Sequence, residues 1–376
     1  MSRSAVFEPR RPAPATEGPD LSEVLVDLGL RSGLCAVGVT TADVFDRTRA
    51  DLVERKGLGL DGGMQFTYRN PDRSTDPGRT LPGARALVVG AWSYRHEEPT
   101  SGEVRFLPTR PTGHVARYAR RDHYASLRGA LAVIADALGE QGFGARVVCD
   151  DNGLVDRAAA HRAGLGFFGK NSLLLIPGFG SWSVLGSVVT DAPLRPTAPA
   201  VPSAHGRGCG SCSRCLTACP TGALVAPGVL DARRCLAWLV QATGSFPEQY
   251  RPALGDRIYG CDECQQVCPI NRVADRRVPP PPPSPDSRSR VDLIEILESS
   301  DEELMAAHGR WYIAGRDPRY LRRNALVALG NVGDGTDPAT VRTLRRWLSV
   351  DDGMIVEHAR WAARRLGRDD LVGTDG

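Results

Sequence analysis

No apolar run in the 376-residue chain approaches the roughly 18 residues needed to cross a bilayer, so no membrane span is expected. A usable export signal is missing too. Arg10-Arg11 could open a twin-arginine leader, but Pro-Ala-Pro-Ala-Thr-Glu-Gly-Pro follows where an apolar segment should stand. Net charge is small, +3 at pH 7, so composition does not announce nucleic-acid binding and the placement of charge has to be read instead. With no route to an oxidising compartment, the ten cysteines do not read as a disulfide framework. The expectation is a cytoplasmic chain of two to three domains, with residues 1–19 as a disordered tail.

Eight of the ten cysteines crowd between Cys209 and Cys268. The stretch opens with Cys209-x2-Cys212-x2-Cys215-x3-Cys219-Pro220 and closes with Cys261-x2-Cys264-x3-Cys268-Pro269, with Cys235 between. Eight thiolates are what two 4Fe-4S clusters consume, and the first run has the bacterial ferredoxin spacing, whose fourth cysteine reaches across to the other cluster. That assigns Cys209, Cys212, Cys215 and Cys268 to one cluster and Cys219, Cys235, Cys261 and Cys264 to the other. Cys235 replaces the cysteine that Ile258 displaces from the symmetric pattern. Structural zinc is the competing reading, since paired CxxC elements also build tetrahedral sites, but three cysteines at successive two-residue gaps before a Cys-Pro favour iron-sulfur.

Around this block the pattern predicts an α+β, multidomain chain. Leu21 to Leu30 and Tyr124 to Leu138 carry helical periodicity; Cys35 to Thr40, Ala86 to Trp92, Ala145 to Cys149 and Ser183 to Thr190 read as strands. Residues 20–200 form the first domain, and Pro196, Pro199 and Pro202 mark a hinge into the cysteine domain at 201–277. Residues 278–290, with five consecutive prolines from Pro279, read as a semi-rigid linker. Residues 291–376 read as helical: Ser300 with Glu303 makes a capping box, and Asp317-Pro318 and Asp337-Pro338 each start a helix. The helices 318–329, 338–348 and 354–366 resemble stacked HEAT-like repeats.

Gly164-x-Gly166-x-x-Gly169 matches a dinucleotide fingerprint, but it follows a helix-like run and leads into apolar Leu173 to Ile176, the reverse of a Rossmann loop. As a P-loop it fails at Asn171, where Ser or Thr should stand. The glycines are expected to let backbone N-H groups approach a ligand, with Lys170 and Asn171 as polar contacts. Asp150-Asp151-Asn152-Gly153 ends a strand before a helix; Asp150 there is either a proton donor or an ordinary helix cap. Cys35 and Cys149 read as small buried residues, and His123 as a structural histidine. Arginines gather in the last third, with Arg316, Arg319, Arg322 and Arg323 at one helix, Arg342, Arg345 and Arg346 on the next, and Arg360, Arg364, Arg365 and Arg368 at the last. Spacings of three and four predict a basic ridge able to meet phosphates, the alternative being a solvated face.

Taken in order, these stretches resemble the epoxyqueuosine reductase family. The resemblance is carried by Gly62-Gly63-Met64, Arg73-x-x-Asp76-Pro77, Arg117-Tyr118-Ala119, Arg157-Ala158, Arg162-Ala-Gly-Leu-Gly166, Gly169-Lys170-Asn171, Phe179-Gly180-Ser181-Trp182, Leu185-Gly186 and Thr190-Asp191. It extends through the cysteine block to Arg322-Arg323-Asn324-Ala-Leu326 and covers nearly the whole chain after the tail. The resemblance implies a nitroreductase-like cobalamin-binding domain, a ferredoxin-like domain with two 4Fe-4S clusters, and a helical-repeat domain that helps hold tRNA. It implies Asp150 as the proton donor above cobalt, and Arg73, Leu174 and Leu185 with Lys170 and Asn171 about the corrin. It implies Arg157 near the RNA; within the basic ridge, Arg319, Arg322 and Arg323 are the expected tRNA contacts. The implied partners are tRNA carrying epoxyqueuosine and an external one-electron donor, with the enzyme a monomer. Two departures stand out: Asp122-His123-Tyr124 where relatives have Asp-Tyr-His, and Asp151 where a threonine usually follows the acid, so that Asp151 could share the proton. A reductive dehalogenase-like corrinoid enzyme and an iron-sulfur electron-transfer protein are the rival readings.

Overall fold

The computed structural model describes residues 20–96, 110–197, 207–282, 284 and 286–373. The expected N-terminal tail, Pro199 and Pro202 of the expected hinge, and Pro283 of the proline run lie outside the described residues. The first part of the chain runs α1 (Leu21–Arg31), β1 (Ala36–Thr41), β2 (Ala86–Ser93), β3 (Thr112–Val115), α2 (His123–Glu140), β4 (Ala145–Val148), α3 (Asp156–Arg162) and β5 (Ser183–Thr190).

Four of these strands form a sheet in the order β1-β2-β5-β4, every neighbouring pair antiparallel. The central strands are apolar almost throughout because both faces are covered. From β2, Ala86 and Val88 point to α1 and α2, where they meet Leu25, Leu127, Leu131 and Ile134. The alternate residues Leu87, Val89 and Ala91 point the other way, onto Phe45, Leu154, Ala159 and Leu165. An all-antiparallel sheet with helices on both sides makes this part α+β.

The later elements are β6 (Arg257–Tyr259), α4 (Pro269–Arg277), β7 (Arg290–Asp292), α5 (Leu293–Glu298), α6 (Asp301–His308), α7 (Arg319–Val332), α8 (Pro338–Leu348) and α9 (Gly353–Arg365). Strand β3 does not join the first sheet. It lies between β6, parallel to it, and β7, antiparallel, so each of the three sequence segments contributes one strand. The largest apolar cluster grows from this sheet, joining Val115, Ile258, Tyr259 and Val291 to Leu293, Leu297, Leu326, Leu344 and Ala359 of the C-terminal helices.

The segment read as a linker is tied down at its ends. Val115 N-H donates to Ser289 O at 2.9 Å, Arg288 N-H to Arg120 O at 3.2 Å, and the Arg95 guanidinium to the carbonyl of Val278. Both ends of 278–290 are therefore fastened to the first part of the molecule. The capping box forms as read, Glu303 N-H donating to Ser300 Oγ at 3.2 Å and Ser300 N-H to Glu303 Oε2 at 2.8 Å. Helix α7 packs on α5 and α9, and α8 on α9.

Candidate cluster cradles and the cleft beside them

Cys209, Cys212, Cys215 and Cys268 line one cavity of about 220 Å³, together with Lys170, Asn171, Leu175, Arg214, Pro269 and Ile270. Three of the thiols come from one tight loop. Cys268 arrives as the residue before α4, where Pro269 opens the helix at a position whose N-H would have no partner anyway. The loop is pressed against Phe167: a Cβ at Gly208 would lie 2.3 Å from that ring, so any larger residue would have to displace it. Lys170 Nζ holds the loop's far side through Gly210 O at 2.8 Å.

The other four thiols gather next to these. Burial pushes the Cys261 thiol up to about 12, and Cys235 stands among the charges it feels. Burial also carries Cys264 well above the ordinary range, followed by the nearness of Cys261 and Cys235. Cys235 is raised by burial and by Cys219. Cys219 is the exception. Burial opposes its ionisation, but N-H groups of Thr221, Ala223 and Leu224 hold it below the usual thiol value, with Ala223 N at 3.2 Å from Sγ. Cys264 also senses Cys215, so the two groups are neighbours. Three packed thiols that resist ionisation individually, beside a fourth that does not, suit a cluster whose irons supply the compensating charge, and the N-H donors on Cys219 are of the kind that tune such clusters.

A second opening, a cleft of about 570 Å³, lies beside the cysteine region. One wall is α3, with Asp156, Arg157, His161 and Arg162; another is apolar, with Phe45, Leu52, Leu60, Met64 and Phe66. The third comes from the segment between Cys219 and Cys235: Gly228, Leu230 and Ala232. Arg162 lies 3.5 Å over the Phe45 ring and donates to Thr41 O and Asp43 O, each at 2.7 Å. Arg157 is solvent-accessible yet set deep in the concave wall, donating to Ser172 O at 2.7 Å. An open cleft with an apolar floor, cationic edges and a cluster segment as one wall fits a large amphipathic cofactor such as a corrinoid.

Asp150 stands at the exposed tip of the turn after β4, with φ at +54°, a conformation that Asp tolerates better than most residues. Protein around its carboxyl raises its pKa; Arg128 opposes this, and Asp151 and Asp122 add to it. Asp151 is placed differently, accepting the Gly153 N-H at 2.5 Å in a local turn. Sequence reading missed Asp156. Burial first, then Asp150, hold its carboxyl well above the usual range, and its Oδ1 is buried with no hydrogen-bond partner among the described residues. The available signal was weak, since an acid in a first helical turn is commonplace.

Several expected contacts sit elsewhere. Asn171 accepts from Leu173 N-H at 3.2 Å and donates to Cys264 O at 3.5 Å, so with Lys170 it belongs to the cysteine cradle and not to the cleft lining. Leu174 and Leu185 are packed in the apolar layer with Phe45, Leu154 and Val155. Arg73 is exposed on a single helical turn, Pro71–Ser74. The glycines of 164–169 close a hairpin: a Cβ at Gly166 would stand 2.3 Å from Leu175 O, which explains the residue without any ligand.

The basic ridge needs the larger correction. Arg323 is fully buried and donates to Leu239 O at 3.0 Å, Ala242 O at 2.7 Å and Gly244 O at 2.6 Å. Arg322 is 7% exposed, bonded to Ser299 O at 2.9 Å and to Asp301. Arg319 is held between Asp317 at 2.6 Å and Asp352 at 3.1 Å. Arg322 and Arg323 thus fasten helices together and are not presented to a polyanion, whereas Arg319 is exposed and paired with acids. Arg342, Arg345, Arg346, Arg360, Arg364 and Arg365 do remain exposed.

Comparison with known proteins agrees with the cradle. Residues 208–271 match the family model for a 4Fe-4S double cluster binding domain. The chain is 32% identical over 352 residues to an epoxyqueuosine reductase of Bacillus subtilis, covering 92% of this chain and 88% of that protein. It is 35% identical to one from Xanthomonas campestris, covering 90% and 94%. Among solved structures, a crystal structure of epoxyqueuosine reductase with a tRNA-Tyr epoxyqueuosine-modified stem loop superposes with a TM-score of 0.81 at 31% identity, covering 92% of this chain and 90% of that one. The Streptococcus thermophilus epoxyqueuosine reductase gives 0.80 at 28%, with the same coverage. With this likeness running through the sheet, the cysteine cradle and the C-terminal helices alike, the chain belongs to the epoxyqueuosine reductase family.

Proposed function

We propose that the protein removes the epoxide oxygen from epoxyqueuosine in tRNA, giving queuosine and water. The reaction consumes two electrons and two protons. The observation that carries this is the shared cleft: the wall bearing Asp156 and Arg157 faces a wall drawn from between two cluster cysteines, so protons and electrons can reach one site from opposite sides. Cys209, Cys212, Cys215 and Cys268 would hold one 4Fe-4S cluster, and Cys219, Cys235, Cys261 and Cys264 the other. Both pass electrons singly from an external donor. Cobalamin, when bound in the cleft, supplies a low-valent cobalt able to deliver them to the substrate.

This chain's residues supply the rest. Asp150, whose backbone bonds to Asp156 of that wall and whose carboxyl pKa is raised by burial, donates one proton to the departing oxygen, and solvent supplies the second. Arg157 orients the substrate from the cleft wall, and the apolar floor excludes water. The arrangement comprises a cobalamin domain over 20–200, a cluster domain over 201–277 and a HEAT-like helical domain over 291–376. The exposed arginines of α8 and α9, rather than the buried Arg322 and Arg323 of α7, meet tRNA phosphates in the cytoplasm. The test is anaerobic: count iron and sulfide, add cobalamin, and follow an epoxyqueuosine-bearing stem loop under a chemical reductant. Conversion dependent on both cofactors supports the reading; an iron-free protein overturns it.

A further inference from the structure

We propose that electrons enter over the Cys209–Cys268 cradle, and that the basic surface around its mouth docks an acidic one-electron carrier protein of the flavodoxin class. The proposal rests on the cluster reading above. The rim of that cavity is open: Gly208, Gly210, Ser211, Ser213 and Arg214 are exposed, and nothing in the described chain covers them. Electron transfer between proteins falls off steeply with separation, so a carrier must reach the cluster nearest the surface.

The charge of this surface is one-sided. Between Asp191 and Asp231 the sequence contains no acidic residue. Helix α4 leaves the cradle at Pro269 and turns Asn271 and Ala274 inward, while Arg272, Val273, Arg276 and Arg277 point out. Those four positions, i, i+1, i+4 and i+5, share one face. The single acid on the helix, Asp275, is drawn away to Arg95 at 3.0 Å, and neighbouring Glu263 pairs with Arg257. Among the described residues no carboxylate pairs with Arg214, Arg272, Arg276 or Arg277. Val273 and Val278, 37% and 53% exposed, give the patch apolar contact area as well. Cations around an apolar spot beside a redox centre complement an acidic carrier, steering it electrostatically and leaving again readily. The RNA-facing cleft has its own arginines on α3.

In each docking event an anionic flavin hydroquinone loses one electron to become the neutral semiquinone and the cluster gains it, with no proton released from the flavin. Two events supply the pair that the epoxide consumes. The test uses the full chain carrying its clusters, mixed anaerobically with fully reduced flavodoxin while flavin oxidation is followed. Wild-type transfer should slow as salt rises, and the Arg272→Glu, Arg276→Glu, Arg277→Glu triple variant should be at least about tenfold slower at low salt. Reduction by dithionite, which needs no docking, should be unchanged at equal iron content. Arg276→Gln with Arg277→Gln, a milder pair, should fall between. Equal flavodoxin rates for wild type and triple variant would overturn the proposal. So would loss of tRNA stem-loop binding with the flavodoxin rate kept, which would make this an RNA face. A wild-type protein without iron, or one that dithionite cannot reduce, would instead sink the underlying cluster reading.

Discussion

Asp151 gives its carboxylate to the Gly153 N-H, while the Asp150 carboxyl stands among Arg128, Asp122 and Asp151. Two adjacent acids, equivalent as letters, are thus separated by local geometry. Replacing Asp150 by Asn should lower turnover by at least about 10²-fold, as expected for loss of a general acid, while Asp151→Asn should stay near wild type; single-turnover assays on a modified stem loop check this. Because its folded pKa is raised, Asp150 is a proton donor to higher pH than an ordinary carboxyl, and activity should decline as pH rises through that value. The same sign holds for stability. Asp156, raised mainly by burial, contributes fully below the unfolded carboxyl pKa of about 3.9 and loses that contribution as pH rises through its folded value. Asp156→Asn should therefore lose less stability between acid and neutral pH than wild type, as denaturant titrations at several pH values will show. The place of Asp150 in a turn after a strand was legible in the sequence, while its proposed role came from the family resemblance; Asp156 was hidden because acids begin helices for mundane reasons.

Helices α7 and α8 show what periodicity reveals at the scale of elements and what it conceals. Pro338–Leu348 coincides with the span read from the Asp-Pro start and the apolar stripe, and Arg319–Val332 differs only at its ends. Which arginines face inward was not readable, since Arg322 and Arg323 are buried by helices packed against them from elsewhere in the chain. Arg323→Ala should destabilise the fold by about 3–5 kcal/mol, because it strips three buried carbonyls of their charged partner. Thermal unfolding will show the loss, and the tRNA affinity of the folded fraction should be unaffected. Strand β3 was missed altogether: four residues pair with partners more than 140 positions away, leaving no local pattern to find.

At the scale of the molecule, the cysteine spacing had singled out Cys209, Cys212, Cys215 and Cys268, the four that line one cavity, because cluster ligands recur at short intervals. The cleft was not legible. Its walls come from three distant stretches, and only folding brings Phe45, Asp156 and Leu230 to one opening. Cys235→Ser should remove one of the two clusters, cutting bound iron from about eight atoms per chain toward four. If the exposed arginines of α8 and α9 meet phosphates, log affinity for tRNA should fall linearly with log salt, with a slope that Arg345→Ala and Arg346→Ala reduce by about one each. The most direct measurement follows the nucleoside itself. The anaerobic protein, loaded with iron and cobalamin and given a chemical reductant, should convert epoxyqueuosine in a tRNA stem loop to a product lighter by one oxygen, and omission of either cofactor should abolish this. Conversion that persists without corrinoid, or a cysteine cradle that takes zinc in place of iron, would contradict the account.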